Sequence, residues 1–208
     1  MKEKKMEVIQ MMEVKSKIKD LLLLTERDGM DKLIECMEQN GFFIAPCSGS
    51  FHLSKEGGLA EHSLNVYKTM RIMAESLYDN LTYDYLDELI IVSILHDLGK
   101  MGQFGKPNYT ENMIKDGRPT KSEPEQKYKR SETKPYITNP DLLNVPHEIR
   151  SIAIASKYIN LTEQEQFAIL YHNGLYGDLR YQISGKETPL YLLLHFADMW
   201  CSRVVEVE

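Results

Sequence analysis

Residues Leu89–Lys100 read LIIVSILHDLGK, and this stretch decides the fold. From Leu89 to Leu95 every residue except Ser93 is apolar. A run apolar on every side belongs to a helix buried all round, not to an amphipathic surface helix. His96 and Asp97 then interrupt it. An unpaired buried carboxylate costs several kcal/mol, comparable with the whole stability margin of a domain. A metal ion would supply the missing partner, which raises the question of where further ligands lie.

The bulk composition sets bounds on the answer. A chain of 208 residues is long enough for one full core, or for a domain with an appendage. Hydrophobic content of 42% and charged content of 27% are those of an ordinary globular protein. The net charge of -6 gives no general attraction to polyanions, so a long nucleic acid is not a favoured partner. Cys36, Cys47 and Cys201 are odd in number, widely spaced and form no CxxC. That pattern fits a reducing cytoplasm and argues against a disulfide framework or a cysteine zinc site. Leu21–Leu24 is too short to span a bilayer, and no signal peptide or membrane anchor is expected.

Outward from the central stretch, the chain reads as a series of helices. Met1–Leu24 is rich in Lys, Glu and Met, with apolar Val8, Met11, Met12, Val14 and Ile18. It is an amphipathic helix on the outside of the domain or on a second subunit of an oligomer, or else a frayed tail. The break at Asp28-Gly29 separates this N-terminal extension, residues 1–28, from a domain over residues 29–208. Asp31–Gln39 is helical by pattern and Asn40-Gly41 stops it. Phe42–His52, FFIAPCSGSFH, reads as an ordered loop pressed against the core. After Gly57-Gly58, a long helix carries Leu59, Val66 and Met70 on one face, with His62 among them and so pointing inward. Asp84, Asp87 and Glu88 then favour the start of the central helix.

Downstream, the stretch from Gly102 to Pro140 has few helical signals, and Lys121–Lys134 is strongly charged. A connection this long is functional or ordered on its own. Tyr136-Ile137-Thr138 and Asn108–Met113 are the candidate strands of a small β-hairpin flap. Helical pattern returns at Pro146–Ile159, with Ile149, Ile152, Ala153, Ser156 and Ile159 as the expected inner face. Thr162 and Glu165 form a capping box for a helix that ends at His172, before Asn173-Gly174. Pro189 opens a last helix, apolar nearly all round, that nevertheless carries His195 and Asp198. The expected class is all-α, with the flap as its only strands.

Separate apolar helices thus carry His62, His96-Asp97, His172 and Asp198 inward, and a further helix start offers His147. Each has an explanation without metal: His96 as a favourable charge at a helix C-terminus, Asp97 as a cap, Asp198 as a partner of Arg203. Such an explanation is needed afresh at every position, whereas a metal centre satisfies all of them together. Imidazole and carboxylate ligands without cysteine suit Mn, Fe, Co, Ni or Zn rather than Ca. Facing helices are where all-α proteins build such centres.

The order His62, His96-Asp97, Asp198, with GGLAEHSLNV around the first and ILHDLGK around the second, resembles the HD-domain superfamily of metal-dependent phosphohydrolases. GGLxEHS and LHDxGK are the segments by which that superfamily is identified, and the resemblance covers roughly Gly29 to Arg203. The chain is similar to bacterial and phage HD proteins that share the FH…GGLAEHSLNVY opening. Around the first two motifs it is similar to the HD part of bacterial 3′–5′ exoribonucleases.

The resemblance implies an HD-domain helical bundle in which His62, His96, Asp97 and Asp198 bind a first metal ion. His147 and His172 would bind a second, bridged by Asp97; with a single ion they become substrate ligands or general acid/base groups. One or two divalent transition-metal ions are implied, with Mg also compatible. A bound divalent ion lowers the pKa of water from about 15.7 toward 7 and so supplies hydroxide at neutral pH. Asp97 and Lys100 are the expected catalytic residues, Lys100 lying one turn on and able to hold a phosphate oxygen, or else simply favouring a helix C-terminus.

The outer candidates stay two-sided. His195 is a partner of a ligand, a substrate contact or a core histidine, and His52 is a similar candidate. Arg203 meets phosphate or solvent. Lys121, Lys127, Lys129, Arg130 and Lys134 form a solvated face, or a flap that attracts an anionic substrate. The expected activity is hydrolysis of a phosphomonoester or phosphodiester in a nucleotide or other small phosphorylated substrate. Its rivals are a binuclear-iron HD oxygenase, a nuclease acting on single-stranded ends, and a module that senses a nucleotide without turnover.

Overall fold

The computed structural model describes residues 2–119 and 124–207. Its helices are α1 (Lys2–Leu24), α2 (Met30–Gln39), α3 (Gly58–Leu77), α4 (Tyr83–Leu95), α5 (His147–Ala155), α6 (Glu163–Tyr171), a single turn α7 (Arg180–Ile183) and α8 (Pro189–Trp200). α4 is the centre. Thr82 caps it by accepting from the Tyr85 N–H at 3.3 Å, with Asp84 in the first turn. Leu89 to Leu95 are all buried, as an all-round apolar helix requires. α3, α6 and α8 pack around α4, and α1 touches it as well. Each fully buried Leu or Ile contributes roughly 1.5–3 kcal/mol, so this one helix supplies a large part of the folding drive. No described helix is long and apolar enough to cross a membrane.

The N-terminal helix shares this core. Ile18 and Leu22 are fully buried and cluster with residues of α2, α3 and α4, whereas Val8, Ile9 and Met12 further up α1 are exposed. The link after α1 is clamped to the far side of the bundle. Arg27 Nη1 donates to Glu165 Oε2 at 2.7 Å and to the Asn160 carbonyl at 3.1 Å, and its Nη2 reaches the other carboxylate oxygen. Glu165 is fully buried and also accepts from the Thr162 N–H at 2.8 Å, completing the capping box anticipated from Thr162 and Glu165. Removing one partner of such a pair leaves a buried charge uncompensated. Arg27→Ala is therefore expected to lower unfolding free energy by about 3–5 kcal/mol, measured by urea denaturation. A loss below about 1 kcal/mol, typical of a surface pair, would overturn this account.

The excursion between α4 and α5 is a two-stranded arm. β1 (Tyr109–Glu111) pairs antiparallel with β4 (Tyr136–Thr138), Tyr109 opposite Thr138, as the flap expectation has it. Beyond Asn112 the arm continues as β2 (Met113–Asp116) against β3 (Lys127–Arg130), Met113 opposite Arg130. Lys127, Lys129 and Arg130 are thus strand residues on a ladder exposed on both faces. Lys121 lies outside the described residues. The arm leaves the bundle after Met101 and closes where the Asn139 N–H donates to the Asn108 carbonyl at 2.9 Å. Its insertion accounts for the long sequence gap between Asp97 and His147.

α5 differs from its expected face. Ile149, Ala153 and Ser156 are exposed and Ile152 is half-buried, while Arg150, Ser151, Ile154 and Ala155 are buried. The helix is rotated because Ser151, not an isoleucine, is the residue that docks on the turn after α4.

Candidate metal centre

His96 is the C-cap of α4, still in right-handed helical conformation, and Asp97 leaves at φ -102° and ψ 9° into a tight turn over Leu98–Met101. Gly99 is required there, since a Cβ would run into the His147 carbonyl and the Arg150 side chain. Ser151 locks the contact. Its hydroxyl accepts from the Gly99 N–H at 2.8 Å and lies 2.8 Å from both the His96 and His147 carbonyls. The Gly of LHDLGK thereby brings the first turn of α5, and with it His147, against Asp97. In the GGL segment, Gly58 plays a matching part: a Cβ would strike the Leu53 carbonyl, so the loop can pack flush on the start of α3.

Four histidines present Nε2 to one another and hold Nδ1 outward. His96 Nδ1 lies 2.9 Å from the Ser93 carbonyl, and His172 Nδ1 lies 2.7 Å from the Ile169 carbonyl. A carbonyl only accepts, so both Nδ1 atoms carry hydrogen, and in the neutral ring Nε2 keeps its lone pair. His62 Nδ1 is held by Glu206 at 2.9 Å, and His147 Nδ1 by Glu148 at 3.2 Å.

Asp97 divides these imidazoles into two sets. Its Oδ2 lies 3.6 Å from His62 Nε2 and 3.4 Å from His96 Nε2. Its Oδ1 lies 3.1 Å from His147 Nε2 and 3.6 Å from His172 Nε2. Asp198 joins the first set, with Oδ1 3.1 Å from His62 Nε2. Ligands bonded at about 2.0–2.2 Å to one ion stand roughly 3–3.6 Å apart, which these separations match. His62, Ser63 and His96 are fully buried, and Asp97 is 1% exposed.

The donor set fits a divalent ion on a second ground. Among the described residues, His62 Nε2, His96 Nε2 and Asp97 Oδ1 are buried with no hydrogen-bond partner. Their near contacts are close but not aligned for hydrogen bonding. His147 Nε2 and His172 Nε2 also face each other at 3.3 Å, an arrangement of two lone pairs that repels unless a cation or proton sits between them. His62, His96, Asp97 and Asp198 would hold one ion, and His147, His172 and Asp97 a second.

The electrostatics agree with this assignment. Burial lowers the pKa of His96 and keeps it neutral, as a ligand must be. Burial opposes charge on His62 too, but the Cys47 sulfur and the Asp198 and Glu206 carboxylates outweigh it and hold its pKa well above 6.5. His172 is raised in the same way, against burial, by Asp97 and Asp198. Asp97 is held far below the carboxylate range although burial opposes this, with the Lys100 ammonium prevailing. Asp198 is depressed likewise, burial being overcome by His62 and the neighbouring imidazoles. Ionised carboxylates and proton-hungry imidazoles share one buried cluster, and a divalent cation can take the place of those protons.

Around the cluster the remaining sequence candidates separate. Lys100 Nζ lies 2.6 Å from Asp97 Oδ2 and lines the adjoining cleft of about 820 Å³ together with His52, Arg203 and Lys55. Arg203 is exposed, its guanidinium 5.6 Å from the Tyr176 ring. His195 is mostly buried; its Nδ1 lies 2.8 Å from the His172 carbonyl, so it braces the backbone of a candidate ligand. It also lines a smaller recess with His172, Asp198 and Arg203. Asp198 does not pair with Arg203; its ion-pair neighbour among the described residues is His62. No sequence signal points to Glu148, which backs His147, or to Glu206 and Cys47, which flank His52 and His62. Their roles arise from tertiary placement and follow no periodicity. Protein-family models, curated proteins and solved structures were each compared with the chain, and none of the three comparisons finds a match.

Proposed function

We propose that this protein is an HD-type metal-dependent phosphohydrolase acting on a nucleotide or another small phosphorylated substrate. The observation that carries the reading is the division of Asp97: each carboxylate oxygen faces its own pair of imidazole Nε2 atoms. A structural histidine cluster has no use for that symmetry, whereas a bridging carboxylate does. Bound divalent ions would supply a water acidic enough to attack phosphorus at neutral pH and would neutralise phosphate oxygens.

The chain's own residues supply the rest. Lys100, buried against Asp97, has its pKa held well above normal: burial opposes this, and the Asp97 carboxylate prevails. It stays charged at the floor of the cleft, where a non-bridging phosphate oxygen would meet it. His52 is also positively charged at neutral pH. Burial works against its protonation, but the Cys47 sulfur and the Glu206 carboxylate raise its pKa to about 9. With Lys55 and Arg203 on the walls, the cleft sets four cationic side chains against the Glu132 and Glu206 carboxylates, Lys55 also pairing with Glu61 at 3.0 Å, although the protein as a whole is acidic. Such a pocket attracts a compact anion without binding polyanions at large.

The test is phosphate release from chelator-stripped protein reloaded with Mn, Fe(II), Co, Ni, Zn or Mg in turn. Nitrophenyl phosphate, bis-nitrophenyl phosphate and nucleotides serve as substrates, under anaerobic conditions. Turnover with at least one transition metal, abolished by chelation, is expected. No release with any ion under these conditions, or product formed only once oxygen is admitted and consumed, would overturn the proposal.

A further inference from the structure

Glu206 lies beyond α8, where the helix widens into a π turn over Cys201–Val205 and the Glu206 N–H donates to the Cys201 carbonyl at 3.0 Å. The wider turn carries the side chain back toward the bundle, and its carboxylate is 1% exposed. Three donors converge on it. His62 Nδ1 lies 2.9 Å from Oε2 and 3.1 Å from Oε1, His52 Nδ1 lies 2.6 Å from Oε2, and Asn65 Nδ2 lies 3.1 Å from Oε1.

His62 needs such a partner more than the other histidines do. His96 and His172 stand at helix C-termini, and each donates to the carbonyl three residues back, one of the orphan carbonyls of a last helical turn. His62 is inside α3, where carbonyls are committed to the helix, and the nearby Leu59 carbonyl also takes the Ser63 hydroxyl at 3.0 Å. No carbonyl of its own helix holds its Nδ1; the acceptor comes from a distant part of the chain. Glu206 is also on the opposite side of the ring from Nε2, which faces Asp97 and Asp198. It therefore acts on the site through His62 rather than as a ligand.

We propose that Glu206 is a positioning residue for the metal centre, fixing His62 as an Nε2 donor and, through the same carboxylate, fixing His52 at the cleft wall. The proposal rests on the metal-centre reading above. A carboxylate accepting from Nδ1–H locks ring orientation and tautomer and makes Nε2 a better donor; removing such a partner typically weakens metal binding by roughly 10–100-fold. The shared carboxylate further links the metal ligand to the cleft: His52 and His62 rings stand edge to face with centroids 4.8 Å apart.

The test uses the full chain with Co(II) or Zn(II) alone, dissociation constants being read by competition with a chelating dye. Glu206→Gln keeps the size of the side chain, but it removes the negative charge and leaves one acceptor oxygen in place of two for the three donors. It is expected to weaken Co(II) binding by roughly 10–100-fold and to change the visible absorption of the Co(II) form. Melting of the chelated proteins, followed by circular dichroism, shows whether the variant is folded. Asn65→Leu, which loosens Glu206 without removing it, should shift affinity and absorption in the same direction, and it serves should Glu206→Gln fail to fold. Wild-type affinity and absorption in the folded variants would overturn the positioning role alone. A wild-type protein that takes up no metal would overturn the metal-centre reading, and this role with it.

Discussion

Asp97→Asn is expected to abolish metal uptake and to lower turnover well beyond the roughly 10–100-fold typical of losing an outer hydrogen-bond partner. The substitution replaces one carboxylate oxygen by an amide NH2, which has no lone pair to offer. Since each oxygen of Asp97 faces a different imidazole pair, either orientation of the amide removes a ligand from one set and the negative charge from both. Lys100 also loses its partner at 2.6 Å and meets the change by releasing its proton more readily, which limits the cost to folding. Helix packing around α4 is untouched, because Asp97 lies past the helix end. The measurements are metal content by elemental analysis, phosphate release, and far-ultraviolet circular dichroism. A folded variant with wild-type metal content and activity would show that Asp97 is not the hub of the site.

Parts of this arrangement are legible in the sequence, and the reasons differ from residue to residue. α4 is plain because a run apolar at every position but Ser93 belongs to a buried helix, and the His-Asp pair at its end then needs an explanation. His62 follows from helical spacing, and Asp198 from its place on a last helix that is apolar nearly all round. Their convergence is now seen in a contact of 3.1 Å. α5 was less accessible: the isoleucines suggest one inner face, but the close approach at Gly99 and the Ser151 hydrogen bonds select another. Local hydrophobicity cannot predict a rotation set by a polar contact with a turn some fifty residues away. The outer half of the arm escaped for the opposite reason. β2 and β3 are exposed on both faces, so nothing imposes the alternation by which strands are recognised. Glu206 was invisible because its position depends on a π turn and on donors more than 140 residues earlier in the chain, the His62 bond spanning 144.

Metal and protons compete for the same nitrogens, and the size of that competition is the second large effect expected. In the metal-free protein His62 and His172 have pKa values raised above 6.5, burial opposing and the neighbouring groups prevailing, the Cys47 sulfur with Asp198 and Glu206 for His62 and the Asp97 and Asp198 carboxylates for His172. A raised histidine pKa stabilises the folded state fully below the unfolded value near 6.5, and that contribution disappears as pH rises through the folded value. The metal-free protein should therefore lose stability as pH climbs above 6.5. Its depressed carboxylates, Asp97, Asp198 and Glu206, contribute stability above the unfolded range near 4, which is lost only in acid. Ion binding has the opposite slope, because each ligand must shed its proton before it coordinates. Displacing one proton changes the apparent dissociation constant by about tenfold per pH unit, and displacing two by about a hundredfold. Thermal melts with and without Co(II) or Zn(II), from about pH 6 to about pH 8.5, should show a metal-induced rise in Tm that grows steeply with pH. Calorimetry in buffers of different ionisation enthalpy should find protons released on binding. A dissociation constant flat across this window, with no proton release, would mean that the imidazoles of this cluster are not the groups that take up the ion.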